Sequence, residues 1–196
     1  MPEREFKEEI MKVLLEDVYK KVVTFLNREK FEYIIIGGIA AGILGEPRLT
    51  GDVDVDIVLK KDSIGEFLSK ARKEGFNVDE RKSLVRGKTT GVFQIRYGDF
   101  HVDFIIASID LEREAIKRKK VVRLYRVKAF FPTPEDFILL KIVPARPQDI
   151  ADIEKVVMRN KGILDVKYLE IWGKRLSDEA QDMRMYNDLK KLLDVK

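Results

Sequence analysis

The alternation of apolar and polar positions divides the chain into a helical start, a central region of short strands and a helical end. Over residues 5–27, apolar side chains recur every three or four positions, which predicts an amphipathic helix with one buried stripe. Residues 31–36 form an apolar run that ends at Gly37 and Gly38, as is typical of a buried strand. The small apolar residues 39–44 then predict a short helix packed closely against that strand.

The rest of the pattern predicts further strands in the centre and helices towards the end. The predicted strands are residues 53–59, 91–97, 100–106 and, as an edge strand, 121–128. The predicted helices are residues 63–74, 111–120, 135–142, 147–159, 165–176 and 179–194. This order of elements predicts an α+β fold, in which a small mixed β-sheet is flanked by an N-terminal helix and a C-terminal helical region.

Composition narrows the class of protein. Charged residues make up 37% of the 196 residues and cysteine is absent, which fits the reducing cytosol and favours a thermophilic source. No apolar run is long enough to cross a membrane, and the N-terminal residues lack the apolar core of a signal peptide, so we expect a cytoplasmic protein with no membrane partner. The net charge of +4 favours an anionic partner, such as a nucleotide or RNA.

Acidic residues occupy alternate positions at the start of the second predicted strand. Because alternate residues of a strand share a face, Thr50, Asp52, Asp54 and Asp56 are expected to line one side, opposite an apolar side that faces the core. At roughly 5 Å and an effective dielectric constant near 20, two such carboxylates repel each other by about 3 kcal/mol. Solvent relieves the repulsion on an exposed face, whereas in a cleft the relief comes from protonation, a basic side chain or a metal ion.

Three neighbouring features favour a site over an exposed strand face. Gly37 and Gly38 let the backbone approach a phosphate group where a helix begins. Asp103 lies inside an apolar strand, where an acid is costly to bury unless it is paired or binds a metal ion. Arg48 and Thr50 precede the acidic run and either position the loop or contact phosphate. Carboxylate oxygens suit Mg²⁺, and a pair of such ions can clamp the attacking and leaving oxygens in phosphoryl transfer.

This combination resembles the polymerase-β-type nucleotidyltransferases. In that family a Gly-Gly or Gly-Ser pair is followed some ten residues later by Asp-x-Asp or Asp-x-Glu, and a third acid lies on a neighbouring strand. The chain is most similar to minimal bacterial and archaeal members, which include the nucleotidyltransferase toxins of abortive-infection type toxin–antitoxin systems. The similarity rests on the run RLTGDVD at residues 48–54 and on Lys141, Arg146, Asp149 and Asp152.

The resemblance covers residues 31–157. The pattern of elements predicts a boundary at residue 132, between a nucleotidyltransferase core with its N-terminal helix in residues 1–132 and a C-terminal helical region in residues 133–196, two parts that can equally pack as one domain. The resemblance implies that two Mg²⁺ ions are bound by the catalytic acids Asp52, Asp54 and Asp103. It implies nucleotide contacts from Gly37, Gly38, Arg48, Thr50 and Lys141. The metal pair could instead be Asp54 and Asp56, but only the first register leaves Arg48 and Thr50 at the family offsets. Asp56 then has no role, and we expect it to tolerate replacement best.

The implied reaction transfers a nucleoside monophosphate from a nucleoside triphosphate, with ATP among the candidates, to a hydroxyl group of RNA (tRNA) or of a protein. The protein is then a toxin with an antitoxin partner, or alternatively a catalytically inactive module of the same fold that binds nucleotide or RNA. Residues 113–128 contain eight Lys or Arg and one acid, Glu114, which indicates either a tRNA-facing surface or ordinary solvated charge. His101, two residues from Asp103, either borders the site or is structural.

Overall fold

The computed structural model describes residues 13–194 and contains, within them, nine α-helices, a four-stranded sheet and a two-stranded sheet. The helices are α1 (Leu15–Arg28), α2 (Gly37–Leu44), α3 (Ile64–Lys73), α4 (Glu80–Thr90), α5 (Asp110–Lys117), α6 (Pro134–Ile142), α7 (Pro147–Arg159), α8 (Val166–Ala180) and α9 (Arg184–Leu193). The strands are β1 (Tyr33–Ile36), β2 (Asp52–Ile57), β3 (Val92–Tyr97), β4 (Phe100–Ile106), β5 (Lys120–Leu124) and β6 (Val127–Phe131). The predicted α+β fold is confirmed.

The main sheet is mixed, with the strand order β1-β2-β4-β3. β2 runs antiparallel to β1 and parallel to β4, and β4 runs antiparallel to β3. Direct partners in adjacent strands share a face, so the register fixes which side chains meet. Asp54 is the partner of Asp103, and Asp52 is the partner of His101. The sheet therefore brings the predicted acids from two separate stretches of sequence onto one face.

The opposite face of the sheet belongs to the hydrophobic core. Val53, Val55 and Ile57 alternate with the aspartates and are fully buried. The ring of Phe67, on α3, lies 4.9 Å from that of Phe104, on β4, in an edge-to-face arrangement. Buried side chains from α6 and α7 join the same hydrophobic cluster as those of α1 and the sheet. The boundary at residue 132 stays a prediction.

Helix α5 covers one end of the acidic face of the sheet, and a cavity lies against the other end. Ile34, Ala107, Ala115 and Ile116 form a small second cluster beneath α5, which packs on β1 and β2. The other end of this face carries Asp52 and Asp54 and lines a cavity, whose further lining residues include side chains from α6 and α7. The same strand thus contributes residues both to a buried layer and to a candidate site.

The predicted single edge strand at residues 121–128 is wrong. The structure has a hairpin there, with β5 and β6 joined by Tyr125 and Arg126, which adopt φ angles of 47° and 67°. Two-residue turns with positive φ normally use Asn or Gly, so neither residue signals the turn in the sequence. Phe130 of β6 packs on Tyr33 of β1 with ring centroids 5.4 Å apart, which attaches the hairpin to the main sheet.

The first and last helices have bounds that differ from the predicted ranges. Of the predicted helix 5–27, residues 5–12 lie outside the described residues, and the described part is helical from Leu15 to Arg28. The predicted last helix, 179–194, begins later, at Arg184, because Gln181 takes a left-handed conformation that ends α8. Within residues 13–194, no helix combines the length and apolar character needed to span a membrane.

Candidate active site

A cavity of about 560 Å³ lies against the acidic face of the sheet. Seven of the eight predicted site residues line it: Gly37, Gly38, Arg48, Thr50, Asp52, Asp54 and Lys141. The eighth, Asp103, lies on the adjacent strand as the register partner of Asp54. The structure thus gathers the predicted residues around one place in the molecule, while their individual roles stay predictions.

The two glycines at the start of α2 lie in close contact with the acidic strand. A Cβ atom on Gly37 would lie 1.8 Å from Oδ2 of Asp54, and Gly37 has a φ of +64°, which favours glycine. A Cβ atom on Gly38 would lie 2.5 Å from Oγ1 of Thr50. Only glycine lets the helix begin this close to β2. The unpaired backbone N–H groups of the first helical turn therefore lie beside the carboxylate of Asp54.

Asp54 is the acid whose ionisation is most affected by the cavity. Burial raises the pKa of Asp54, and the charges of Asp103 and Asp52 raise it further, while Lys141 and Arg146 act in the opposite direction. Asp54 is thus a partly buried carboxylate whose negative charge the nearby cations do not fully balance. A bound cation would stabilise its ionised form.

The other two predicted acids are each held by a neighbour on the sheet. Nε2 of Gln94, on β3, donates a hydrogen bond of 2.9 Å to Oδ1 of Asp103. Nδ1 of His101 lies 3.9 Å from Oδ1 of Asp52, whose side chain is half exposed. His101 therefore borders the site, and Gln94 positions Asp103 from the outer strand.

The donor atoms fit Mg²⁺ in kind, but they are not gathered around one point. Among residues 13–194, no group of three or more acidic, histidine or cysteine side chains is close enough to hold a metal ion. Adjacent strands lie about 4.8 Å apart, so the register of Asp54 with Asp103 leaves their carboxylates within reach of a common ion. Asp52 would need to turn from His101 towards Asp54 to complete such a site.

A network of basic and acidic side chains forms the opposite wall. Nζ of Lys141 lies 2.7 Å from Oδ1 of Asp149 and 3.2 Å from Oδ2 of Asp152. Each acid also has an arginine partner. Nε of Arg146 lies 2.7 Å from Oδ2 of Asp149, and Nε of Arg48 lies 2.9 Å from Oδ1 of Asp152. Lys141 thus has a fixed position in the cavity wall, and Arg48 anchors its loop to α7.

Both acids of this network stay ionised. Burial alone would raise the pKa of Asp149, but hydrogen bonds from Arg146 and Lys141 lower it below its usual value. Asp152 behaves in the same way, because the bonds from Arg48 and Gln148 and the charge of Lys141 outweigh its burial. The two carboxylates act as positioning residues for the cations that line the cavity.

Asp56 lies outside this cavity. Its side chain is 2% exposed, and Oδ1 has no hydrogen-bond partner among the described residues. Burial raises the pKa of Asp56 well above its usual value, and the charges of Glu112 and Asp54 raise it further. Burial beneath α5 therefore disfavours the ionised form of this carboxyl group. This position does not favour the alternative register, in which Asp54 and Asp56 would form the metal-binding pair.

Comparison with known proteins identifies the family. The family model of nucleotidyltransferases of unknown function (DUF6036) matches residues 14–195. The chain belongs to this family. The predicted nucleotidyltransferase, an enzyme that transfers nucleotidyl groups, is thereby confirmed, and the resemblance to toxins stays a prediction. Among curated proteins, no sequence matches the chain.

Several solved structures share the fold. An antigenic nucleotidyltransferase-like protein from Paracoccidioides brasiliensis is 18% identical, with a TM-score of 0.53 and 93% of each chain covered. ANT(2'')-Ia in complex with adenylyl-2''-tobramycin is 16% identical, with a TM-score of 0.55, and 85% of this chain and 97% of that chain are covered. The lincosamide antibiotic adenylyltransferase LnuA, bound to lincomycin, is 13% identical, with a TM-score of 0.51 and coverages of 74% and 96%. At these identities the likeness establishes the fold alone.

Two features around the sheet, Gln94 and helix α4, are not predicted from the sequence. Gln94 escapes notice because a single amide in a strand has no characteristic pattern, although it occupies a polar position of the alternating run 92–97. Helix α4 is also missed, since the segment ERKSLVRGKTT has few apolar residues and contains Gly87. A Cβ atom on Gly87 would lie 2.7 Å from Cδ1 of Ile64 and 3.3 Å from Cβ of Phe93, so a larger residue there would require these side chains to shift.

Proposed function

We propose that the protein transfers a nucleoside monophosphate from a nucleoside triphosphate to an acceptor hydroxyl group, with Mg²⁺ as the cofactor. One observation carries the proposal: a single cavity has Asp54 beside the glycine turn on one wall and Lys141 on the other. Glycine backbone and lysine bind phosphates, and a carboxylate of raised pKa favours a bound cation. ATP is the proposed donor, because LnuA, which shares the fold, is an adenylyltransferase.

In this proposal the triphosphate lies between α2 and α6. Lys141 neutralises phosphate charge, and its pairing with Asp149 and Asp152 keeps it in place without a cost in side-chain entropy at each turnover. The N–H groups at the start of α2 donate to phosphate oxygens. Mg²⁺, held by Asp52, Asp54 and Asp103, would supply charge neutralisation at the triphosphate when bound.

The acceptor approaches on the side of Asp103. Gln94 occupies Oδ1 of Asp103, so the other carboxylate oxygen accepts the proton from the acceptor hydroxyl. The hydroxyl oxygen forms a bond to the α-phosphorus, the bond from the α-phosphorus to the leaving oxygen breaks, and pyrophosphate departs. Catalysis then rests on positioning and electrostatic stabilisation, as in other phosphoryl transfers.

We further propose that the acceptor is RNA or a protein, and that the protein is a toxin with an antitoxin partner. Most basic side chains of residues 113–128 are exposed and support binding to an anionic surface, although Arg118 is engaged with Asp136 at 3.0 Å and lies over the ring of Tyr168. Growth arrest on expression of the wild-type chain, absent for Asp54→Asn, would support the toxin function. Normal growth in both cases would contradict it.

The test of the proposal is label transfer. Purified protein is incubated with Mg²⁺, each α-labelled nucleoside triphosphate, and total RNA and protein from cells. We expect label in one acceptor pool with the wild type and with Asp178→Asn, an exposed matched substitution on α8, and none with Asp54→Asn. Label at equal levels in all three would contradict the proposed site. Nucleotide-dependent stabilisation without transfer would favour the alternative of an inactive binding module.

A further inference from the structure

We infer that the acceptor carries phosphate, and that a second, basic cavity next to Asp103 binds it. This inference rests on the proposed function, because it identifies the acceptor of that reaction. The cavity has a volume of about 190 Å³ and is formed between α4 and the ends of β3 and β4. The residues that define its character are Lys82, Arg86, Gln94, Arg96 and His101.

The position of this cavity relates it to the candidate active site. Gln94 lines the cavity and also donates its hydrogen bond to Asp103. His101 lines it and lies 3.9 Å from Asp52, which lines the first cavity. The acidic residues thus separate two cavities, with the glycine turn and Lys141 on one side and the basic side chains of α4 and β3 on the other. An acceptor in the second cavity would approach Asp103 from the side opposite the triphosphate.

The charge of the cavity indicates an anionic occupant. Among the ion pairs between residues 13–194, none includes Lys82, Arg86 or Arg96. The one acid that lines the cavity, Asp79, accepts a hydrogen bond of 3.0 Å from the backbone N–H of Lys82 and caps α4. In the first cavity, by contrast, Arg48, Lys141 and Arg146 are each paired with an acid. A polycationic acceptor would meet a single carboxylate in the lining of the second cavity, that of Asp79, which already caps α4.

The basic surface continues outward along α4. A further cavity of about 580 Å³ shares Asp79, Lys82 and Arg86 with the small one, and its other lining residues are Arg81, Val85 and Thr89. The two together form a basic groove that leads from the solvent to Gln94, the hydrogen-bond partner of Asp103. A phosphodiester chain fits such a groove, with one phosphate near Arg86 and Arg96 and the terminal hydroxyl at Asp103, because contiguous cations bind successive phosphates. A phosphorylated small molecule would fill only the inner cavity.

Binding of a fluorescein-labelled single-stranded RNA of twelve nucleotides, measured against salt concentration, tests the groove independently of turnover. The variant is Lys82→Gln/Arg86→Gln. The matched control is Lys167→Gln/Lys174→Gln, which removes the same charge from exposed positions of α8. At about 0.7 in the salt slope for each single-strand phosphate contact, we expect the slope to fall by about 1.4 and the affinity to fall about 25-fold at 0.1 M salt. Unchanged RNA binding by the variant would overturn the inference, as would a loss only in Arg123→Gln/Arg126→Gln on the hairpin.

Transfer assays with defined acceptors then distinguish a phosphodiester chain from a phosphorylated small molecule. They also test the phosphate groove separately from the proposed nucleotidyl transfer. The acceptors are the same RNA, a nucleoside 5′-monophosphate, and an aminoglycoside as a cationic control. Label on the RNA alone supports a phosphodiester chain, and label on the monophosphate as well supports a phosphate site of the inner cavity. Preferred labelling of the aminoglycoside overturns the inference while leaving the nucleotidyltransferase proposal intact. Loss of RNA binding in the variant without transfer by the wild type to any acceptor supports the phosphate groove and counts against the proposed function.

Discussion

Asp54 and Asp103 are direct partners on the parallel strands β2 and β4, and the charge of Asp103 contributes to the raised pKa of Asp54. Two acids held side by side on a rigid sheet destabilise the chain when both are ionised. The same arrangement strengthens the binding of a cation, because the ion attracts both carboxylates and also cancels the repulsion between them. Stability and ligand binding at Asp54 should therefore respond to mutation in opposite directions.

Asp54→Asn should lower the rate of nucleotidyl transfer by about 10²–10³-fold while raising the free energy of unfolding by about 0.5–2 kcal/mol. The amide preserves the shape of the side chain but removes the charge that a divalent cation needs. Urea denaturation without ligand measures stability, and label transfer measures activity.

The control for this prediction is the stabilisation by ligand. Mg²⁺ with nucleotide should raise the melting temperature of the wild type and leave that of Asp54→Asn almost unchanged, because the variant has lost a charge from the binding site. Equal shifts in both proteins would show that Asp54 takes no part in ligand binding.

Asp56→Asn should stabilise the chain at pH 7, in agreement with the expectation from sequence that this aspartate tolerates replacement. Burial, with the charges of Glu112 and Asp54, raises the pKa of Asp56 well above that of an unfolded aspartate, which is about 3.9. Between the two pKa values the folded chain binds more protons than the unfolded chain, so the free energy of unfolding falls as the pH rises.

The measurement is the free energy of unfolding from pH 4 to pH 8. The decline should be shallower in Asp56→Asn than in the wild type, whereas Asp178→Asn, at an exposed position of α8, should retain the wild-type slope. An equal slope in the wild type and Asp56→Asn would mean that the buried carboxyl does not titrate in this range.

Local sequence predicted where the candidate site residues lie along their strands, but it could not predict which strands pair or which acid is buried. Gly37-Gly38 and the alternating aspartates have spacings that depend on backbone geometry alone, and they lie where the pattern places them. The pairing of Asp54 with Asp103 could be suggested only by resemblance to a family, because β2 pairs with β4 across the intervening α3, α4 and β3. The burial of Asp56 depends on α5, more than fifty residues further along the chain, and no local pattern reports such a contact.

Gly37→Ala should reduce activity far more than stability. The added methyl group would overlap the Asp54 carboxylate, with 1.8 Å between Cβ and Oδ2, and the φ of +64° adds backbone strain. We expect a loss of about 1–3 kcal/mol in the free energy of unfolding and nearly complete loss of transfer, because Asp54 must move away.

Gly91→Ala separates the effect of backbone strain from the effect of overlap with Asp54. Gly91 has a similar φ of +75°, but a Cβ atom there meets nothing within 4 Å. This variant should lose about 1 kcal/mol of stability through backbone strain and keep its transfer activity. If both variants lose activity to the same extent, the contact between Gly37 and Asp54 is not what matters.

Lys141→Met should weaken nucleotide binding and lower the free energy of unfolding by about 2–3 kcal/mol, because Asp149 and Asp152 each lose a buried partner but retain an arginine. The double variant Lys141→Met/Asp149→Asn also removes the charge of Asp149, one of the two carboxylates left with a single basic partner. It should recover part of the lost stability without recovering affinity for the nucleotide, because the phosphate contact is still missing. Urea denaturation and nucleotide titration of both variants measure the two effects separately. Recovery of nucleotide affinity in the double variant would show that Lys141 acts only by neutralising Asp149, and that it does not contact the triphosphate.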